Sequence, residues 1–441
     1  MKDWNSLLRE VVKGEWRDPA TGKAVLVPFE TVRIEESLEG GAADLVAPLK
    51  LGRKLAVVSD SNTVEAMGRR VAKELRGWTD VDEIVFPGDT HCDEPTIAMM
   101  QEKTRHCDAC VVVGSGSLSD TVKFASFNDG RPYASFATAA SMNGYGAGTA
   151  SVTLANGYKT SLPAQAPRGV FIDLSVSAAA PTWLSAGGLG DSLCRPVAQV
   201  EWWASHRLFD TYYSKTPFDL FNEENDEALM CQTAPNISKH SIESNGYLYR
   251  VMMIASFGNN LIGSSHSGSM GEHQVSHWID MFAGAAHPGT THGQQVGVAS
   301  IALARLHRHL FSLPKPPHVK PTKITETDFA NRYGADIGAM MFGEAKKKAL
   351  DKKGAAAFNR KLDEIWPELS AQCLAMMMAP EEISRLLAAA GGPTSATELG
   401  LSRDVWRMAM KHARDVRNRW SFLDLADDAG LLDEFLLDDP Q

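Results

Sequence analysis

Residues 109–127 read ACVVVGSGSLSDTVKFASF, and this stretch decides the fold class. An apolar run, a turn of Gly and Ser, and then helical spacing follow one another without a gap. The continuous apolarity of Cys110–Val113 suits a parallel strand covered on both faces. The glycine turn then predicts a helix opening near Ser119 or Asp120. Working outward, KLAVVS (54–59), DEIVF (82–86), PYASFA (132–137) and GVFID (169–173) repeat the pattern of a short apolar run followed by a turn and a helical stretch. Such β-α alternation predicts a doubly wound parallel sheet. Upstream, KAVLVPFETVRIEESL (23–38) is rich in β-branched residues and predicts edge strands or a hairpin on that sheet.

After about residue 180 the spacing becomes helical. Phe358, Leu362, Ile365 and Leu369 form one stripe, and Ile383, Leu386, Leu387 and Ala390 form another before a Gly391-Gly392-Pro393 stop. The four prolines of LPKPPHVKPTKIT (313–325) predict a loop between helices. The expected organisation is an α/β domain over residues 1–180 and an all-α domain over residues 181–441.

Composition narrows the function classes. With 441 residues, 44% hydrophobic and 22% charged, the chain is globular and large enough for two or more domains. A net charge of −10 argues against nucleic acid or an anionic membrane surface as partner. No apolar run reaches membrane-spanning length and the N-terminus lacks a signal-peptide core, so a cytoplasmic location is expected. Six scattered cysteines are expected to be reduced thiols.

Two groups of residues could carry chemistry. Gly114-Ser115-Gly116-Ser117, between a strand and a helix, is an anion-site candidate, because glycine lets backbone approach a phosphate and a helix N-terminus offers free N–H groups. The turn does not fit GxGxxG, and the best ribose-binding carboxylate, Asp60 in VVSDSNT, ends an earlier strand instead of following the glycines. The second group is histidine: His266, His273, His277, His287 and His292 fall within 27 residues, a density that points to a metal. His273 and His277 share one helix face, His292 opens the next helical stretch, and Asp191 follows three glycines at what reads as a helix start. An aspartate there is also an ordinary cap. Cys107 and Cys110 form a lone CxxC without a second pair and read as packing, as do His412 and Met376–Met378.

Taken together, VVSDSNT, VVVGSGSLSDTVKF, TAASMNGYGA, LSAGGLGDSLCR, GSMGEHQVSHWID, THGQQVGV, AGGPTSATELGLS and VRNRWSFLDLADDAGLLDEF occur in order between about residues 55 and 437. This series resembles the superfamily of iron-containing alcohol dehydrogenases, glycerol dehydrogenases and 3-dehydroquinate synthases. Within it, the chain resembles the sn-glycerol-1-phosphate dehydrogenases, particularly the bacterial, arabinose-operon-linked type.

The resemblance implies a dinucleotide in the cleft between an α/β and a helical domain, and one divalent metal, zinc, nickel or iron. It assigns metal binding to Asp191, His273 and His292. It assigns catalysis to His277 and Asp191, and substrate contact to Asn143, Asp191 and His277. For the cofactor it implies Gly114, Ser115, Gly116, Ser117 and Leu118 at the pyrophosphate, Thr138, Ala139, Ala140 and Ser141 toward the nicotinamide, and Asp60 at the adenosine ribose. A carboxylate at the ribose favours NAD(H) over NADP(H), by repelling a 2′-phosphate.

The implied reaction interconverts dihydroxyacetone phosphate and sn-glycerol 1-phosphate, in a cytoplasmic homo-oligomer, a dimer by family habit. Two alternatives accompany it: a cyclase or lyase of the dehydroquinate-synthase type, or a polyol dehydrogenase with another substrate, and a ligand-binding protein of this fold without turnover. The chain departs from the family pattern at Asn143, where aspartate is usual, at Thr138-Ala139-Ala140-Ser141, where the third residue is usually proline, and at Ala147, where a small hydroxyl residue is frequent.

Overall fold

The structure, a computed structural model, describes residues 3–440. Among the described residues eight strands are present: β1 (Thr31–Glu35), β2 (Lys54–Asp60), β3 (Asp80–Phe86), β4 (Ala109–Gly114), β5 (Tyr133–Ala137), β6 (Thr149–Thr153), β7 (Lys159–Pro163) and β8 (Gly169–Asp173). Six of them form one parallel sheet in the order β1-β8-β5-β4-β2-β3. The five apolar runs therefore are its strands. Of the 23–38 stretch only Thr31–Glu35 joins the sheet, at its edge, while Ala24 makes an isolated bridge to Arg17.

Side chains alternate across this sheet as a period of two requires. Leu55, Val57, Val111 and Val113 pack on one face with Val71 and Leu75 of the helix Arg69–Arg76. Ala56, Val58, Cys110 and Val112 pack on the other with Ile97, Leu118 and Val122. The chain leaves β2 toward one face and β4 toward the opposite one. Between these neighbours the strand order reverses, and the carboxyl ends there form the crevice in which open α/β sheets bind ligands. Asp60 and Gly114 end those two strands.

The helix after β4 spans Gly116–Asn128, so it opens earlier than the expected Ser119 or Asp120. Gly116, Ser117 and Leu118 thus form its first turn, where N–H groups have no intrahelical partner. Strands β6 and β7 form an antiparallel hairpin outside the main sheet.

Beyond residue 173 the described chain is helical. The stripes at Phe358–Leu369 and Ile383–Ala390 lie buried in the helices Lys352–Met376 and Pro380–Ala390, and Gly391 ends the latter at φ +83°. One position corrects the sequence reading. Asp191 is not at a helix start but in the last turn of the helix Thr182–Leu193. Its glycines are contact points: a Cβ on Gly190 would stand 2.3 Å from the Gly293 carbonyl oxygen, and one on Gly188 would stand 2.0 Å from that of Ala140. The absence of Cβ lets this helix pass against the helix His292–Phe311 and against the loop after β5. The first residues also join the helical side, where the Trp4 ring meets that of Tyr247 at 5.3 Å.

Candidate functional site

Helix packing brings one carboxylate and three imidazoles together. Asp191 Oδ1 lies 3.3 Å from His273 Nε2 and 4.0 Å from His292 Nε2. The rings of His273 and His292 are 5.0 Å apart, and those of His277 and His292 5.5 Å. His273 and His277 sit on one face of the helix Gly271–Phe282. His292 is the first residue of its helix, fixed there by a capping box between Thr291 and Gln294.

The outer nitrogens are held in ways that aim the inner ones. Glu272 Oε1 accepts from His273 Nδ1 at 2.9 Å. Ser276 donates its hydroxyl to Gln295 Oε1 at 2.7 Å, which leaves its oxygen to accept from His292 Nδ1 at 2.8 Å. Both Nε2 atoms are then free of protons in the neutral rings and turned toward Asp191, the arrangement that orients metal-bound histidines. Asp191 Oδ2 accepts from the Asn143 N–H at 2.8 Å, whereas Oδ1 is buried and has no hydrogen-bond partner. A buried carboxylate oxygen without a partner, facing two imidazole nitrogens, fits a divalent cation of the zinc, nickel or iron type.

Cys194 Sγ also falls within 4.8 Å of the Asp191 and His273 donor atoms. Its thiol points instead to the Asp191 and Gly268 carbonyls, and burial pushes its pKa well above the usual thiol value, so it stays protonated.

Titration follows burial and charge. Burial lifts the Asp191 pKa, but its polar neighbours His273 and His292 and the Asn143 N–H outweigh burial and hold the carboxyl below its ordinary value. Burial, then the Arg417 charge, drives His277 well below the usual imidazole range. Arg417 Nη2 donates to His277 Nε2 at 2.9 Å, so this neutral ring carries its proton on Nδ1, which is buried and unpartnered.

The dinucleotide candidates lie at the carboxyl ends of β2, β4 and β5. Gly114–Leu118 turns from β4 into its helix, and Thr138 N–H donates to the Gly114 carbonyl at 3.2 Å. Thr138–Ser141 follows β5 and runs beside Gly188. Asp60 Oδ1 accepts from the N–H groups of Asn62 and Thr63 at 2.9 and 2.8 Å. Asn143 reaches Asp191 but is not free: its Nδ2 donates to the Asp191 carbonyl at 2.5 Å. Of the other clustered histidines, His287 is 3.1 Å from Asp280 Oδ1, and His266 faces Trp202 at 5.9 Å between ring centres.

The family model described as iron-containing alcohol dehydrogenase matches residues 33–181. A glycerol-1-phosphate dehydrogenase [NAD(P)+] of Methanoculleus marisnigri is 33% identical over 260 residues, 59% of this chain and 70% of its own length. The chain belongs to the glycerol-1-phosphate dehydrogenase family. A family member from Bacillus velezensis is 28% identical over 387 residues, covering 85% of this chain and 86% of its own. The fold is that of the solved structures too: a probable glycerol dehydrogenase from Sinorhizobium meliloti superposes with a TM-score of 0.61 at 16% identity, covering 93% of this chain and 98% of its own. Membership in this family makes the chain an NAD(P)-linked, metal-dependent alcohol dehydrogenase. Among the described residues no helix is long and apolar enough to cross a membrane.

Residues that sequence reasoning missed surround the same point. Glu272, Ser276 and Gln295 aim the imidazoles, Lys159 of β7 bonds Asp280 at 2.6 Å, and Arg417 reaches His277 from 140 positions away. Glu272 and Ser276 lie inside GSMGEHQVSHWID, yet no spacing rule marks them.

Proposed function

We infer that the chain interconverts dihydroxyacetone phosphate and sn-glycerol 1-phosphate with NAD(H), and accepts NADP(H) less well because of Asp60. The observation that carries this reading is the unpartnered Asp191 Oδ1 facing His273 Nε2 and His292 Nε2 at 3.3 and 4.0 Å. Residues 1–180 carry the dinucleotide in this reading, and residues 181–441 the metal and substrate.

Asp191, His273 and His292 would hold the cation, while Gly114–Leu118 and Thr138–Ser141 would hold the dinucleotide. The two groups would supply Lewis-acid polarisation of a carbonyl and a hydride. The rest falls to this chain's own side chains. Reduction of a ketone leaves an alkoxide that needs one proton, and His277 Nδ1 carries one with no competing acceptor. Arg417 on the opposite nitrogen raises the acidity of that proton. Asn143 and Ser192 fix the loop over Asp191 and so shape the wall beside the substrate. The working enzyme is a cytoplasmic homodimer in this proposal.

The test is NADH oxidation by metal-loaded protein with dihydroxyacetone phosphate, followed by stereochemical analysis of the product. Net NADH consumption with sn-glycerol 1-phosphate as product supports the assignment. NADH binding without consumption on any triose or polyol phosphate would overturn it.

A further inference from the structure

Two guanidinium groups, Arg417 beside His277 and Arg419 beside Ser269, have no carboxylate bonded to them among the described residues. Arg417 and Arg419 are each half-buried and belong to the segment Val416–Trp420. Their neighbour Arg414 is bonded to Asp424, Asp427 and Asp428. Among the described residues, by contrast, every hydrogen bond from Arg417 and Arg419 goes to a neutral acceptor. Arg417 donates to Ser161 Oγ at 3.1 Å, Ser269 Oγ at 3.4 Å and His277 Nε2 at 2.9 Å. Arg419 donates to the Ser269 carbonyl at 2.5 Å and Ser265 Oγ at 3.0 Å.

Both forks therefore converge on Ser269, and like charges are held together there. The carboxylate that acts on both is Glu272, which makes no hydrogen bond to either: its Oε1 is bonded to His273 and to the Met270 N–H, and its Oε2 is buried without a hydrogen-bond partner. Holding two cations in partial burial without matching anions costs free energy, and a doubly charged anion would offset that cost. Planar guanidinium forks match tetrahedral oxyanions in bidentate fashion. Ser265 and Ser269 supply hydroxyls at the same place. Arg417 reaches His277, whose ring lies 5.5 Å from that of His292, so this fork borders the Asp191–His273–His292 point, and Arg419 joins it through Ser269.

We propose that Arg417 and Arg419, with the Ser265 and Ser269 hydroxyls, form the subsite for the phosphate of a phosphorylated three-carbon substrate. The proposal rests on the dehydrogenase reading above and names the residues that make it specific for a phosphate ester. It places specificity at the far end of the chain, on residues that hold neither metal nor dinucleotide.

Two measurements test it on the full-length, NAD-bound enzyme. Calorimetric titration with inorganic phosphate, which needs no turnover, should show binding by the wild type that weakens by about tenfold or more in Arg417→Gln and in Arg419→Gln. In steady state, the ratio of kcat/KM for dihydroxyacetone phosphate to that for dihydroxyacetone should fall by about 100-fold in the same variants. Arg419→Lys, which keeps the charge but not the fork, should recover part of both. A wild type that does not bind phosphate, or a ratio within about threefold of wild type in both Gln variants, would overturn the subsite. If the wild type reduces neither ketone, the dehydrogenase reading falls, and the phosphate titration still decides the subsite by itself.

Discussion

Asn143 grips Asp191 at two points: its backbone N–H donates to Oδ2 at 2.8 Å and its side-chain amide donates to the Asp191 carbonyl at 2.5 Å. The pattern that the sequence resembles has aspartate at this position, and the amide is a departure from it. An aspartate would put an acceptor against the Asp191 carbonyl. Asn143→Asp should lower unfolding stability by about 1–3 kcal/mol, the cost of a buried unmet polar group. Denaturant titration with an unchanged midpoint would show that the bond contributes nothing.

His273 and His277 share a helix face but not a role. His273→Ala should lose bound metal and activity together, whereas His277→Ala should keep the metal and lose rate by about 10²–10⁴-fold. Metal analysis of the purified variants separates the two. Equal retention in both would contradict the division.

Glu272 and Ser276 act by aiming rings. Glu272→Gln and Ser276→Ala should each weaken metal affinity by about 10–100-fold while the three ligands remain. Competition with a chelator measures this directly, and affinities equal to wild type would remove the positioning role.

Gly190 has no room for a side chain. Gly190→Ala would drive a methyl toward the Gly293 carbonyl, 2.3 Å away, and should cost about 1–3 kcal/mol by overpacking. Because Asp191 is the next residue, metal affinity should fall as well. A variant with wild-type stability and metal content would mean that the two helices can part without consequence.

Asp173 supplies a pH dependence away from the metal. Burial raises its pKa, but the Ser175 hydroxyl, the Leu38 N–H and Arg70 Nη2 at 2.7 Å outweigh burial and hold the carboxyl below its ordinary value. A folded pKa below the unfolded one means stability that is fully present above about pH 4 and lost as pH falls through the folded value. Asp173→Asn should therefore be less stable than wild type at neutral pH, with the gap closing in acid. Unfolding curves that run parallel across the whole pH range would refute this.

Much of the architecture was legible because it rests on local pattern. The unbroken run Cys110–Val113 marks a strand with two covered faces, and the spacing of Phe358, Leu362, Ile365 and Leu369 marks one buried helix face. The hairpin of β6 and β7 escaped, because its strands are short, polar and half-exposed, with pairing that exists only across the turn. Asp191 was misplaced as a helix start because glycine in sequence signals a turn, while here it signals close approach of two helices. The histidine density pointed to the site, yet which nitrogen faces inward depends on Glu272, Ser276 and Gln295. Arg417 could not be joined to His277, nor Arg419 to Ser265, by any spacing argument, since tertiary folding alone brings them together.

The tight seam between Gly188 and Ala140 has a thermodynamic corollary. The loop assigned to the nicotinamide and the helix carrying Asp191 touch where no methyl group fits, so neither can shift alone. Nucleotide and cation should then bind as partners. If a cation tightens nucleotide binding by some factor, the nucleotide must tighten cation binding by the same factor, and titrations in either order would reveal the coupling as a closed cycle.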